Sequence, residues 1–342
     1  MKRPAPHPGG TKTFRLARVS ALTLVLLFLG SGPAYADAAE PSNYEAAVTA
    51  LDPRTDVVTL EVVGGDAFLQ VKVAPGHELL VPGYSSEPYI RVDADGSVWI
   101  NEDSPTRYIN EDRFGRVETP PDADGKGEPR WTKVADNGRY AWHDHRTHWM
   151  SFDRPPNVVG DVRQLVFPWK LPIQVDGQEV TVEGHLEWVP SRSPAVPILI
   201  GIAALFPLLA LRRRSPTLAV TVGVTAIVAI VVDLAQNAGT PASARGFPFG
   251  AIFPVIALGA GAVAVAMRKR ERVTSWAVLI GALTLMAWAV MVREVLWLPV
   301  LPSPIPSGLE RAAVALILWA GIGVLALWAV DFRRSLSETA AR

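Results

Sequence analysis

Hydrophobic positions follow two different rhythms along this chain, and the change falls near residue 194. Before it, apolar residues come in short runs at every second position, the spacing of a half-buried strand. Residues 57–63 and 68–73 alternate in this way and are rich in β-branched side chains, with Gly64-Gly65-Asp66 as the turn between them. Residues 78–81, 89–92 and 98–101 read as further short strands, the last two joined by Asp93-Ala94-Asp95-Gly96. Residues 164–175 and 179–188 form the arms of a hairpin over Asp176-Gly177, a strong turn dipeptide. Pro168 and Pro172 place the first arm at a sheet edge or a bulge. The polar stretch 118–127, rich in Pro, Asp and Gly, reads as an exposed loop. Many short strands with frequent turns predict a β-sandwich-like domain over residues 37–194.

Beyond Pro190-Ser191-Arg192-Ser193-Pro194 the apolar runs lengthen. Five of them, near 195–211, 217–236, 248–267, 274–297 and 311–330, match the roughly 20 residues a helix needs to cross a bilayer. Basic residues follow the odd-numbered runs: Arg212-Arg213-Arg214, then Arg268-Lys269-Arg270 with Arg272, then Arg333-Arg334. The loops after the second and fourth runs carry far fewer charges, which places the basic ends in the cytoplasm and the β-rich domain outside. Residues 332–342 are then a cytoplasmic tail. Gly250, Gly259, Ala260, Gly261 and Ala262 give the third run a small-residue surface for close helix approach. Pro207, Pro248 and Pro254 are expected at kinks or helix ends, and Trp276, Trp297 and Trp328 near the membrane interfaces. Residues 1–36 carry the marks of a secretory signal: Lys2, Arg3, Lys12, Arg15 and Arg18, then an apolar stretch at 21–30, then Ala34-Tyr35-Ala36 as cleavage site. The expected fold is a membrane protein of β + α class, an extracytoplasmic β-sandwich-like domain followed by a five-helix transmembrane bundle in the cell membrane.

Charge sharpens this division. The whole chain is neutral, but residues 37–192 hold 27 acidic and 15 basic residues, leaving 6 acidic and 18 basic elsewhere. The acidic half repels nucleic acid and favours cations. The absence of cysteine removes disulfides, thiolate metal sites and cysteine nucleophiles. Membrane lipid is the expected contact of the second half, with a partner membrane protein beside it.

Chemistry concentrates at 139–150, R-Y-A-W-H-D-H-R-T-H-W-M, which contains three of the six histidines. In a strand His143 and His145 share a face, and in a helix His145 and His148 do. A turn over 145–148 would bring all three rings together. Imidazole suits copper, zinc or nickel, so His143, His145 and His148 are candidate ligands, copper or zinc being the metal read here. Asp144 can ligate or orient a ring, while His77 and His185 can complete the set from neighbouring strands. Met150 can act as a soft ligand. The competing reading is structural: Trp142, Trp149 and Met150 fill core space while the histidines and Asp144 bond one another and the backbone. A hydrolase built on a His–Asp pair is a third reading, with Ser151 adjacent in sequence but no clear nucleophile. Asp93, Asp95 and Gly96 read as a hairpin turn rather than a calcium loop, and 101–103 with 110–112 as a solvated acidic loop. Asp233, Arg293, Glu294, Glu310 and Arg311 form a charge cluster near the outer ends of the spans. Asp233 is expected to pair with Arg293, and Glu294 or Glu310 with Arg311.

The run P-Y-I-R-V-D-A-D-G-S-V-W-I-N-E-D-S-P-T-R-Y-I-N-E-D-R at 88–113, with W-H-D-H-R-T-H-W-M at 142–150, resembles a family of uncharacterised bacterial envelope proteins. That resemblance implies a signal peptide, a β-rich ectodomain and a multi-span membrane part, and brings no activity with it. The layout is also similar to copper-handling proteins that join a CopC-type β-domain to a CopD-type membrane part. CopC-type mature chains begin with histidine, where this one would begin at Asp37. CopD-type spans carry histidines, where none lies beyond His185 here. Three functions follow: a membrane-anchored binding protein for a transition-metal ion, a structural or accessory envelope protein, and a hydrolase at the outer face. A non-enzymatic role is preferred.

Overall fold

Alternating sequence becomes ladder wherever both faces of a strand find cover. The computed structural model describes residues 39–206, 210 and 217–340. The segment expected to be a signal peptide, Pro207 and Arg212-Arg213-Arg214 lie outside these. Ten strands form among the described residues: β1 (Tyr44–Asp52), β2 (Val58–Val63), β3 (Phe68–Val73), β4 (Leu79–Pro82), β5 (Pro88–Val92), β6 (Val98–Asn101), β7 (Trp131–Ala135), β8 (Arg139–Trp142), β9 (Gln164–Val175) and β10 (Gln178–Trp188). One sheet has seven strands in the order β1-β10-β9-β4-β5-β6-β7, and a second has three in the order β2-β3-β8. Neighbouring strands run antiparallel in both. Leu60, Leu69 and Val71 of the smaller sheet share one buried cluster with Ile90, Val98, Leu171, Ile173 and Val182 of the larger. Burying these side chains contributes about 1.5–3 kcal/mol each and fixes the register, because a one-residue slip would turn every one of them outward.

The two prolines of β9 find their place in this order. β9 pairs with β10 from Gln164 to Val175, but with β4 only through Gln174 and Val175. Pro168 and Pro172 therefore stand where the second side of β9 has no strand beside it, so their missing N–H groups cost no ladder bond there. The ladder is also irregular at Leu186/Glu187, opposite Phe167 and Leu165.

The helical half contains α2 (Ala195–Ala203), α3 (Thr217–Ala238), α4 (Ile252–Ala266), α5 (Glu271–Met291) and α6 (Ser307–Ala340), after a short α1 (Pro105–Ile109) inside the β region. Four segments are long and apolar enough to cross a membrane: Thr217–Ala238, Phe249–Ala266, Glu271–Met291 and Ser307–Arg334. The expected span at 195–211 is represented by α2, with residues 207–209 and 211–216 outside the description. Alanine dominates the buried seam of the bundle, through Ala226, Ala229, Ala257, Ala264 and Ala282. Gly261 brings α4 close to α3, since a Cβ there would meet the backbone nitrogen of Gly223 at 3.0 Å. Gly259 has nothing within reach of such an atom, so it takes no part in that contact.

Asp37–Arg342 form a single compact unit. Its β part is sewn to the loops between helices by backbone and hydroxyl bonds. Ser42 and Val300 exchange both backbone bonds, at 3.0 and 3.1 Å. Arg192 N donates to Trp297 O at 2.8 Å. Ser243 Oγ accepts from Ala141 N and donates to Ala141 O, each at 3.2 Å. Phe68, Ala67, Ala141 and Ala39 close over Ala244 in a small apolar contact at the same seam.

Candidate functional site

The histidine motif is neither strand nor helix. β8 ends at Trp142, and residues 145–147 form a turn closed by Thr147 N and Thr147 Oγ1, both donating to Asp144 O at 2.9 Å. That turn gathers the three rings: His148 lies 5.7 Å from His143 and 5.1 Å from His145, centroid to centroid, edge-on to both. Phe68 of β3 stacks on His143 at 4.6 Å. His143 and His148 are both buried.

Asp144 is the hub, with 0% exposure. Its carboxylate accepts from Trp142 Nε1 at 2.9 Å and from the Arg146 backbone at 3.1 Å. The Arg146 guanidinium adds a forked contact at 2.8 and 2.7 Å. Arg146 lies over the Tyr84 ring at 5.0 Å. Burial disfavours its charge, but the Asp144 bonds outweigh this and hold the guanidinium above its usual value. Tyr84 OH accepts from His145 N at 2.9 Å and donates to Asn110 Oδ1. Asn110 Nδ2 in turn reaches Tyr89 OH at 3.4 Å.

Beside this hub, Asp66 is buried against Arg113 in an ion pair. Burial raises the Asp66 carboxyl despite that partner. Glu87 is buried too, accepting from Ser104 Oγ and Thr106 Oγ1 at 2.7 Å and from Ser85 N at 2.9 Å. Burial works against its charge, yet these donors outweigh it and hold the carboxyl below its usual range. The stretch 101–112 is therefore not a solvated acidic loop: Asn101, Ser104, Thr106 and Asn110 are buried around α1. An apolar β-strand filter passes over such residues because each is polar, and only their crowding between β6 and β7 marks them.

Each ring nitrogen has a setting that bears on metal binding. His145 Nε2 donates to Asp112 O at 3.0 Å, leaving Nδ1 with a lone pair. His148 Nδ1 donates to Trp149 O at 3.3 Å, and its Nε2 is buried with no hydrogen-bond partner among the described residues. Burial, followed by the positive charge of Arg113, pushes His148 down to about 2. Burial likewise lowers His145. Both shifts favour the neutral imidazole that ligation requires, but Arg113 disfavours a second cation beside them. No group of three or more His, Asp or Glu side chains is placed to hold a metal ion among the described residues.

The other candidates fall elsewhere. His77 Nδ1 meets Asp176 Oδ2 at 2.7 Å beside the β9–β10 turn. His185 sits on β10 across from Pro168, 4.0 Å from Glu187. Neither joins the motif. Met150 is 40% exposed rather than packed in the core. Ser151 Oγ accepts from Asp153 N at 3.1 Å, and the Asp144 carboxylate engages Trp142 and Arg146, so these residues do not assemble the expected hydrolytic arrangement. Asp93-Ala94-Asp95-Gly96 is a hairpin turn, with Gly96 N donating to Asp93 O at 2.8 Å and Gly96 at φ +85°.

The membrane-proximal charges also pair differently from expectation. α5 stops at Met291, and Arg293 and Glu294 occupy a short 3-10 turn beyond it. They are about half exposed and lie 3.9 Å from each other, so Arg293 does not meet Asp233. Asp233 Oδ1 accepts from Trp288 Nε1 at 3.0 Å instead. Glu310 Oε1 accepts from Gln236 Nε2 at 2.7 Å, and Arg311 donates to Leu298 O at 2.6 Å and Pro299 O at 3.3 Å. The reason is geometric: the chain leaves α5 before Arg293 and Glu294, so these two stay beside each other, while Asp233 and Glu310 reach across to the neutral donors Trp288 and Gln236.

No protein-family profile matches the chain, and no curated protein or solved structure matches it either.

Proposed function

We propose that the chain is a multi-pass envelope membrane protein with no catalysis of its own. It holds a β-sandwich-like domain outside the cell on a five-helix bundle and serves as an accessory component to a partner membrane protein. The basic residues after α4 and at Arg333-Arg334, against the sparsely charged loops near 240 and 300, support this orientation. The resemblance of 88–113 and 142–150 to bacterial envelope proteins supports the same setting. The observation that carries the accessory reading is Asp144: the one acid of the motif, fully buried, engages Trp142 and Arg146 with its carboxylate, inside the fold. A polar network closed on itself rigidifies a domain and offers little to a substrate.

Transition-metal binding is the second reading, favoured by the ring of His148 lying beside those of His143 and His145 and by its buried Nε2, which has no hydrogen-bond partner among the described residues. Copper or zinc are the ions its donors would take. Metal analysis and calorimetry on the full chain in lipid nanodiscs decide between the two. The accessory reading expects no stoichiometric copper or zinc at neutral pH. One equivalent bound, and lost in a His143→Ala/His148→Ala variant that stays folded, overturns it in favour of a metal-binding ectodomain.

A further inference from the structure

The irregular stretch between the motif and β9 is an ordered loop that holds apolar side chains outward. Phe152, Val159 and Val162 are 78%, 74% and 59% exposed. Side-chain amides fix the backbone beneath them. Gln164 Oε1 accepts from Val159 N at 3.2 Å, and Gln164 Nε2 donates back to Val159 O at 2.5 Å. Asn157 Nδ2 donates to Val166 O at 2.8 Å. The loop's two arginines turn toward its own domain: Arg154 lies over the Trp188 ring at 4.7 Å, and Arg163 bridges Glu45 and Glu187. Asp153 and Asp161 balance these two arginines, so residues 151–163 carry no net charge.

The position of the loop in the fold identifies what covers it. Gln164 pairs with Trp188, the last residue of β10, and α2 begins at Ala195. Arg163 and Val189 line one hollow with Val300, Ser303 and Ser307, the last of these being the first residue of α6. The loop therefore stands at the end of the β domain where the helices begin. Phe247 and Phe249, 61% and 43% exposed and 4.8 Å apart, lie on the loop that also carries Ser243, the partner of Ala141. Exposed apolar side chains on a firmly held loop of zero net charge at this level match the interfacial zone of a bilayer, where such groups leave water without having to span.

We propose that residues 151–163 rest in the outer lipid leaflet of the membrane that the helices cross, with Phe152, Val159 and Val162 dipped among the headgroup-proximal acyl segments and Arg154 and Arg163 at headgroup level. This rests on the membrane reading of α3–α6 and on the domain's lying outside.

The absence of cysteine allows single reporters. Val159→Cys, Val162→Cys, Val231→Cys and Gln178→Cys are labelled with bimane in the full chain, reconstituted in nanodiscs of lipid brominated on the acyl chain. Val231 is an exposed residue of α3, and Gln178 starts β10 at the far end of a hairpin of roughly 3.3 Å per residue, on the order of 35 Å from Trp188. Quenching of more than twofold at 159 and 162, equal or greater quenching at 231 and none at 178 supports the proposal. Quenching at 231 without quenching at 159 and 162 overturns it, including the case in which the label is shielded by a second copy or another protein. Absence of quenching at 231 overturns the membrane reading itself, and the loop's contact with it.

Discussion

Replacing Asp144 by alanine tests whether the motif is a fastener. The carboxylate has 0% exposure, while the Arg146 side chain keeps 20%. Its removal strands a largely buried guanidinium, which costs about 3–5 kcal/mol in comparable pairs. The Trp142 N–H also loses its acceptor, worth about 1 kcal/mol more. Arg146 still faces Pro82 O at 3.4 Å and the Tyr84 ring, which keeps the expected loss near the lower end, about 3 kcal/mol. For a unit of this size that is on the order of 10 °C in melting temperature. The assay is urea unfolding of the detergent-solubilised full chain followed by tryptophan fluorescence, since Trp142 lies against the deleted group. Arg146→Met alone should cost a similar amount, and the double variant clearly less than the two losses summed, because neither charge is then left unpaired. A loss under about 1 kcal/mol for Asp144→Ala, or strict additivity in the cycle, would refute the reasoning.

Acid should loosen the same region. Burial takes His148 from about 6.5 in the unfolded chain to about 2 in the folded one, so the unfolded chain binds the proton first. Its contribution is whole above pH 6.5 and declines as pH falls toward 2; by pH 5 the loss is about 2 kcal/mol, and His145 adds to it with the same sign. Urea midpoints at pH 7.5 and 5 measure this, and His148→Phe should flatten the difference; a midpoint that stays level or rises on acidification contradicts it. For topology, cysteines placed in the 240s loop and after Arg334 should behave oppositely toward an impermeant thiol reagent on intact cells, the loop reacting and the tail not. Reaction at both sites, or at the tail alone, breaks the proposed orientation.

The strands that alternate cleanly were legible from sequence: residues 57–63, 68–73, 98–101 and the hairpin over Asp176-Gly177 stand within a residue or two of their observed bounds. β1 escaped because Tyr44–Asp52 is alanine-rich and half exposed, holding its place through β10 rather than through a hydrophobic pattern of its own. β7 and β8 are short and end among charges, so pairing rather than composition defines them. At the motif, the turn that joins three imidazoles was within reach of the spacing. The polar chain leading away from it was not, because Tyr84 and Asn110, joined to the motif through His145 N, come from segments far apart in the chain, and they meet only because Thr106 of α1 is bonded to Tyr84 N and Glu87. The charges at 293–294 misled for a related reason: hydropathy continues through Val295-Leu296-Trp297-Leu298 while the helix does not.

The doubled backbone bond between Ser42 and Val300 has a consequence for biogenesis. Ser42 is synthesised near the start of the β domain, while Val300 arrives only with the loop ahead of the last helix. The lead-in to β1 thus waits, one side unpaired, until nearly the whole polypeptide has emerged. Completion of the β domain's first strand edge therefore depends on the loop between α5 and α6, and a chain arrested before residue 300 is left with that edge open.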